Sequence, residues 1–192
     1  MKRVRHLILI AGALASLTAL SAGSASAQSG QVVQIIGDQD LGAPSGQPFE
    51  FKQGRIVVRQ NDTVIWRNET VAPHSITIVN QVEVPQTLRE TFACALCEQL
   101  LFAHTPNLGP QGPFPPFVAA IDELKVTAAA PARLDARGDS LVVAEQGGVY
   151  PDTLGGMIGD TVNAVIDAPV GSTLSYVCAL HPWMQGTIEV IR

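Results

Sequence analysis

The residue types best suited to chemistry lie close together near the C-terminus, at Cys178, His181 and Met184 in the segment YVCALHPWMQG. Their side chains are a thiol, an imidazole and a thioether. One thiolate, two imidazoles and a weak axial methionine form the ligand set of an electron-transfer copper site. Pro182 and Gly186 favour the turn that the chain must make for these side chains to converge on one ion. The segment therefore predicts three metal ligands, and the second imidazole must come from elsewhere.

The second imidazole has two candidates in the body of the chain, His74 and His104. His74 follows Pro73 at the start of a short β-branched run, where a side chain can face the loop of a neighbouring strand. His104 lies at the end of a predicted helix, beside a Pro-rich loop. We therefore expect His74, rather than His104, to be the fourth member of the site.

Each of these residues also has an interpretation without a metal. Cys178 could be a buried structural thiol, and His74 could be a hydrogen-bonded histidine at a strand end. Met184 could be a core residue, with Gln185 or no residue in the axial position. Met157 lies in a Gly-rich turn and is the less favoured methionine. If Cys178 were only structural, the close spacing of Cys178, His181 and Met184 would be a coincidence. We therefore favour the metal site.

The N-terminal segment, residues 1–27, has every component of a secretory signal peptide. Basic residues open it, residues 7–20 are apolar, and residues 25–27 form a small-residue cleavage site. The apolar run is shorter than the roughly 20 residues that a membrane-spanning helix needs. We therefore expect cleavage, export to a periplasmic or extracellular compartment, and no stable membrane insertion afterwards.

The remaining chain, residues 28–192, has a length typical of a single domain with its own core. The formal net charge of the whole sequence is −5, and it becomes more negative once the basic signal segment is removed. This balance argues against a nucleic-acid partner and favours a basic protein partner.

Strand-like segments dominate this domain, because short apolar and β-branched runs alternate with turn signals. We predict strands at residues 31–36, 49–51, 55–58, 62–67, 75–79, 141–144, 160–166, 173–178 and 186–191. About eight short strands of this kind indicate an all-β fold, either an antiparallel sandwich or a barrel. A largely helical and irregular insertion, about residues 80–140, interrupts the strands.

Within the insertion, residues 85–104 are predicted to form a helix. Thr87 and Glu90 have the spacing of a capping box. Three apolar residues share one face of this helix: Leu88, Phe92 and Leu96. Residues 106–116 form a Pro/Gly-rich loop, residues 118–127 are ambiguous between helix and strand, and residues 128–139 are expected to be a surface connection.

The three cysteines are Cys94, Cys97 and Cys178. Disulfides persist in exported proteins, and an odd number of cysteines leaves one thiol without a partner in the chain. We predict a local disulfide between Cys94 and Cys97, which leaves Cys178 for the metal. A redox-active pair, or a second metal site that includes His104, remains open for these two cysteines. Glu98 directly follows Cys97, so covalent haem attachment is not indicated.

The two candidate ligand segments resemble those of a known family. CALHPWMQG followed by TIEV resembles the C-terminal copper loop of the cupredoxins, the plastocyanin/azurin-like type 1 blue-copper proteins, with the spacing of the amicyanins. DTVIWRNETVAPHSI resembles their other ligand segment. The resemblance implies a Greek-key β-sandwich with one Cu(I)/Cu(II) ion held by His74, Cys178, His181 and Met184. It also implies an electron carrier, not an enzyme, that serves redox proteins such as cytochromes or oxidoreductases.

Finer features of the site follow from the same resemblance. His181 is expected to be the exposed ligand, edged by a hydrophobic docking patch that includes Pro182 and Trp183. Backbone N–H groups near Ser75 are expected to donate to the sulfur of Cys178. Ser75 stands where the family most often has Asn, so the hydrogen bond between the two ligand loops is expected to differ.

Three other functions remain open on the sequence. The chain could be a copper redox enzyme, although Met184 tends to close the metal site and clustered His-x-His pairs are missing from the sequence. It could be a copper-binding or copper-delivery protein that exchanges its ion. Alternatively, the insertion could carry the function, with Cys94 and Cys97 in a partner-binding or regulatory site.

Overall fold

A computed structural model describes residues 30–38, 46–97, 125–126, 132–151 and 157–192. The predicted signal peptide and the Pro/Gly-rich loop at 106–116 lie outside these ranges, as do residues 118–124. The strands are β1 (Gln31–Ile36), β2 (Glu50–Phe51), β3 (Arg55–Arg59), β4 (Thr63–Asn68), β5 (His74–Val79), β6 (Lys125–Val126), β7 (Ala132–Leu134), β8 (Asp139–Val143), β9 (Tyr150–Pro151), β10 (Met157–Ile158), β11 (Thr161–Ile166), β12 (Thr173–Val177) and β13 (Gln185–Ile191). A 3₁₀ turn spans Gln81–Glu83, and helix α1 spans Leu88–Phe92.

Two sheets account for most of these strands. One has the order β2-β1-β4-β11-β7, the other has the order β3-β13-β12-β5-β8-β6, and β9 and β10 form a separate ribbon. Buried residues from both sheets join in one hydrophobic core. The arrangement confirms the predicted all-β sandwich and is consistent with the implied Greek-key connectivity.

The predicted antiparallel pairing holds for most strand pairs but not for all of them. Four pairs are parallel, namely β1 with β4, β3 with β13, β7 with β11, and β6 with β8. Each joins strands that are not consecutive in the chain. A hairpin connects only antiparallel neighbours, so strands brought together by longer crossovers are free to pair in parallel.

Alternation in β4 shows how the sequence specifies the inner face of a sheet. Val64, Trp66 and Asn68 are buried, whereas Arg67 between them is exposed. Trp66 is fully buried and packs edge-to-face on Tyr176, with ring centroids 6.2 Å apart. Aromatic side chains bury more apolar surface than any others, so this pair contributes strongly to the core.

Strand β5 is buried on both faces, since all six of its residues are buried. Ile76 and Ile78 point into the main core. On the other face, the following residues form a second cluster: Val79, Val84, Val177 and Ala179, with Leu96 packed against them. The first part of the insertion therefore covers the outer face of β5 and β12.

The helix predicted for 85–104 is not continuous: α1 spans Leu88–Phe92, residues 95–97 are helical again after a break, and residues 98–104 lie outside the described ranges. Thr87 caps α1 by accepting a hydrogen bond from the Glu90 amide at 3.2 Å, and the Glu90 carboxylate accepts from the Thr87 amide at 3.1 Å. This confirms the capping box. The helix ends at Phe92 because Ala93 leaves the helical conformation. Leu88 and Phe92 are 64 % and 72 % exposed, so their shared face does not pack on the core.

The prediction of a surface connection at 128–139 is wrong for residues 132–134. Strand β7 lies there, with Ala132 and Leu134 buried, and it pairs with β11. A strand this short shows too few alternations for a period of two to be recognised. The turn that follows is tied to the insertion, because the guanidinium of Arg137 donates to both carboxylate oxygens of Glu83, at 2.8 and 2.6 Å.

Gly186 marks a close approach between strands. It lies opposite Tyr176 in the β12–β13 pair. A Cβ atom at position 186 would collide with the Tyr176 ring and with the backbone oxygen of Gly54. Only glycine fits this position without a shift of the backbone.

Among the described residues, no helix has the length and apolar character that crossing a bilayer would require.

Candidate metal centre

The loop between β12 and β13 carries Cys178, His181 and Met184. Two backbone hydrogen bonds fold it back on itself. The Cys178 amide donates to the Met184 carbonyl at 3.0 Å, and the Met184 amide donates to the His181 carbonyl at 2.8 Å. The loop is therefore a tight turn with its ligand-type residues held close together, as the spacing predicted.

His74 reaches the same place through strand pairing. It is the first residue of β5, which runs antiparallel to β12 with Thr77 opposite Val177. This register brings the start of β5 beside the end of β12, where Cys178 begins the loop. His104, the alternative imidazole, lies outside the described residues.

Three ligand atoms converge in the interior. The sulfur of Cys178 lies 3.7 Å from Nδ1 of His74 and 3.7 Å from Nδ1 of His181, and the two Nδ1 atoms are 3.0 Å apart. Metal–nitrogen and metal–sulfur bonds are about 2.0 and 2.3 Å long. One ion placed between these atoms can therefore bond to all three, so the geometry fits a metal site.

Met184 is buried, with 1 % of its surface exposed, and belongs to the same core cluster as Cys178. The side chain of the other candidate, Met157, is not described. A thiolate with two imidazoles suits zinc or copper, and a thioether in the set shifts the preference to copper.

Burial controls the protonation of the cluster. The pKa of His74 is lowered to about 3, chiefly by burial and then by the charge of His181. His74 is thus neutral near pH 7 and keeps a lone pair for a metal. Burial raises the pKa of the Cys178 thiol, although the Ser75 amide opposes this shift. A bound cation favours the thiolate strongly enough to overcome such a rise.

Ser75 links the two ligand segments in two ways. Its backbone N–H donates to the sulfur of Cys178 at 3.3 Å, as expected from the resemblance. Its hydroxyl accepts a hydrogen bond from the Ala179 amide at 2.8 Å. A buried row of hydroxyls continues from it, with Ser75 Oγ 3.1 Å from Thr77 Oγ1, which is 2.7 Å from Ser140 Oγ. The shorter side chain at position 75 therefore still ties the loops together.

Aromatic rings cover the side of the site nearest the surface. The ring of Phe49 lies 5.2 Å from that of His74 and 5.0 Å from that of His181, and the ring of Trp183 lies 5.3 Å from that of His181. The indole N–H of Trp183 donates to the Phe49 carbonyl at 3.1 Å. Phe49 was not predicted as a site residue, because its place depends on sheet pairing that no local pattern reveals.

The expectation of an exposed histidine ligand needs correction. His181 retains 8 % of its surface and is therefore buried, although it is more exposed than His74, Cys178 or Met184. Pro182 and Trp183 are half-buried beside it. His181 is therefore the most accessible of the four predicted ligands, and Trp183 is its half-buried neighbour.

The insertion touches the ligand loop from the other side. Cys94 and Cys97 form the predicted local disulfide. Leu96, between them, packs on the cluster that contains Ala179, the residue after Cys178. The side-chain Nε2 of Gln185 donates to the Pro85 carbonyl at 2.7 Å. The described part of the insertion thus supports the ligand loop.

Comparison with known proteins finds similarity in structure only, since no protein-family model and no curated protein sequence matches the chain. Dithionite-reduced auracyanin from Roseiflexus castenholzii is 15% identical, with a TM-score of 0.42 over 84% of this chain and 96% of that chain. The Cu(I) form of an amicyanin variant is 14% identical, with a TM-score of 0.38 over 85% of this chain and 84% of that chain. Auracyanin A, a "blue" copper protein from Chloroflexus aurantiacus, is 18% identical, with a TM-score of 0.36 over 83% and 98%.

Similarity this low does not assign a family by itself. The features that bear on function are the two-sheet sandwich and the buried cluster of His74, Cys178 and His181, with Met184 in the same loop. Together they give the chain an all-β sandwich whose interior brings together ligand types that suit one copper ion.

Proposed function

We propose that the chain is a mononuclear type 1 copper protein that carries single electrons between redox proteins in an exported compartment. One observation supports this most directly. The ligand atoms of His74, Cys178 and His181 all lie within 4.8 Å of one another, and all three side chains are buried. No other group of this kind occurs among the described residues.

In this proposal, His74, Cys178 and His181 would hold one copper ion, and Met184 would add a thioether from the same loop. The ion would supply a Cu(I)/Cu(II) couple, which changes by one electron at a time. The chain holds the ligand positions fixed through the folded loop and the bond from Ser75 to Cys178, so that little rearranges when the charge changes. The Ser75 N–H also stabilises negative charge on the sulfur.

Burial of the ligands favours a carrier over the alternatives. His74 and Cys178 are fully buried, Met184 is 1 % exposed and His181 is 8 % exposed. A delivery protein must release its ion readily, and a copper enzyme must admit a substrate to its metal. A closed cluster suits neither task as well as it suits electron transfer, in which no ligand has to leave.

The partners are proposed to be redox proteins such as cytochromes or oxidoreductases, which would dock near Trp183. The net charge of −5 favours a partner with a basic docking surface. Export is proposed from the signal-peptide composition of residues 1–27.

The visible absorption spectrum of the Cu(II)-loaded chain, residues 28–192, tests the proposal. We expect an intense sulfur-to-copper charge-transfer band that disappears in Cys178→Ser. The matched control replaces Cys94 and Cys97 with serine, which should leave the band in place. A weak cupric spectrum that Cys178→Ser does not alter would contradict the copper site.

A second measurement separates the carrier from its rivals. A carrier should keep its copper in the presence of a chelator, and added azide should leave its spectrum unchanged. Rapid loss of copper to the chelator would favour a delivery protein. A spectral change with azide would favour a metal open to small molecules, as an enzyme requires.

A further inference from the structure

A buried row of three polar side chains extends from the cluster in the direction away from the metal ligands. Nε2 of His74 lies 2.8 Å from Oγ1 of Thr70, and this oxygen lies 2.8 Å from Oδ1 of Asn68. Asn68 and Thr70 are each 1 % exposed, and His74 is fully buried. Buried polar groups of this kind need hydrogen-bond partners, so each proton in the row has a defined place.

The orientation of the Asn68 amide is fixed by its surroundings. One of its amide atoms lies 2.8 Å from the Ala72 carbonyl oxygen and 2.7 Å from the Ala144 carbonyl oxygen. Carbonyl oxygens only accept hydrogen bonds, so this atom must be the nitrogen, with one N–H for each carbonyl. The other atom is therefore the oxygen, and it accepts from the Thr70 amide at 2.9 Å.

The position of the Thr70 hydroxyl proton follows. Two oxygens 2.8 Å apart need a proton between them, and Asn68 Oδ1 has none to give. The Thr70 oxygen also lies 3.1 Å from the Ala72 carbonyl oxygen, which likewise only accepts. A hydroxyl carries only one proton, so the Thr70 proton is donated toward these acceptors and not toward His74. The Thr70 oxygen can then only accept from His74. The proton of the neutral imidazole therefore lies on Nε2.

From this geometry we infer that Asn68 and Thr70 select the Nε2–H tautomer of His74 and so prepare it to bind a metal. In this tautomer Nδ1 carries a lone pair, and Nδ1 is the atom that lies 3.7 Å from the sulfur of Cys178. The opposite tautomer would direct an N–H at the metal position and could not bind there. Thr70 is a positioning residue that acts through His74.

The same row is anchored independently of any metal. The Asn68 amide joins the end of β4 to Ala144, just past the end of β8. The Gln146 amide donates to the Thr70 carbonyl at 2.8 Å. Since these bonds are made by the fold alone, the tautomer is set before an ion arrives. The inference about metal binding rests on the proposed copper site, whereas the tautomer does not.

Nitrogen NMR of the metal-free chain tests the tautomer directly. Long-range ¹H–¹⁵N correlations of histidine distinguish Nε2–H from Nδ1–H, and we expect His74 to be Nε2–H. Thr70→Val keeps the size of the side chain and removes the acceptor, so His74 should lose its single tautomer. Thr70→Ser restores the hydroxyl and should restore Nε2–H. Thr91→Val, which removes a threonine hydroxyl in α1, is the matched control and should change nothing at His74.

Copper affinity measured by chelator competition gives the second readout. Loss of a partner that orients a metal-binding histidine typically weakens metal affinity about 10- to 100-fold. We expect this loss in Thr70→Val and recovery in Thr70→Ser.

Two results would overturn the inference: an Nδ1–H tautomer of His74 in the metal-free wild type, or an unchanged tautomer in a folded Thr70→Val. The wild-type spectrum decides even if the valine variant does not fold. If copper gives no charge-transfer band but His74 is Nε2–H, the proposed function fails and the tautomer assignment stands.

Discussion

Replacing Ser75 with alanine should destabilise the fold without removing the metal site. The Ser75 hydroxyl accepts a hydrogen bond from the Ala179 amide at 2.8 Å, and both residues are buried. Without it, that amide has no acceptor. A buried donor left unpaired costs about 1–3 kcal/mol. Thr77 keeps its 2.7 Å contact with Ser140, so a second unpaired group does not arise. The expected loss is therefore about 1–3 kcal/mol, or about 5- to 150-fold in the folding equilibrium.

Urea unfolding of the metal-free chain measures this loss. The matched control is Ser175→Ala, since the Ser175 hydroxyl donates to the side chain of Gln81, an exposed residue that can turn to water instead. This control should lose less than about 1 kcal/mol. The reasoning is refuted if Ser75→Ala loses no more stability than Ser175→Ala.

The copper spectrum of the same variant provides an internal check. The donor to the sulfur of Cys178 is the backbone N–H of Ser75, which alanine retains. The charge-transfer band should therefore persist in Ser75→Ala at temperatures where the protein is folded.

Two further predictions concern stability. The hydrogen bonds from Arg137 hold the pKa of Glu83 below its ordinary value of 4.5. A depressed carboxylate pKa stabilises the fold above pH 4.5, and the contribution is lost as the pH falls through the folded-state pKa. As the pH is lowered from about 7 to 3, the urea midpoint should thus fall more steeply for wild type than for Glu83→Gln. Parallel curves of midpoint against pH would contradict this. Gly186→Ala should cost about 1–3 kcal/mol or more, because the added methyl meets the tyrosine ring and backbone described above. The control is Gly159→Ala, since an added Cβ at Gly159 contacts nothing within 4 Å and should change the melting temperature little. Equal melting temperatures for the two alanine variants would argue against the collision at Gly186.

The strands could be predicted because their residues alternate or are richly β-branched. The segment predicted at 31–36 matches β1, and that at 160–166 differs from β11 by one residue. Alternation reports which face of a strand is buried, and burial is what defines the sandwich. The same signal failed at Ala132–Leu134, where the strand is too short for a period to appear.

Local patterns indicated candidate ligands but not their surroundings. Cys178, His181 and Met184 were recognisable because a tight loop keeps them adjacent in sequence. Phe49 was not, because strand pairing alone places its ring beside the histidines. Thr70 could have been noticed four positions before His74, but its hydrogen bond depends on how the loop folds around Asn68.

The helical part of the insertion was misjudged for a different reason. Leu88 and Phe92 have the spacing of a packed helical face, yet they are 64 % and 72 % exposed. Periodicity shows that two side chains share a face, but it does not show what that face meets. The packing on the ligand loop is made instead by Val84 and Leu96, on either side of α1.

The small accessible area of His181 has a consequence for how the protein acquires its ion. His74, Cys178 and Met184 are at most 1 % exposed, so the edge of His181 beside Trp183 is the side from which the ligands are nearest to solvent. A copper donor would have to approach by this side, which is also the proposed docking side for electron partners. The protein could then not receive copper from a donor and exchange an electron with a partner at the same time. A docked redox partner would shield the bound ion from exchange, and the apoprotein would compete poorly for partners while a copper donor is engaged.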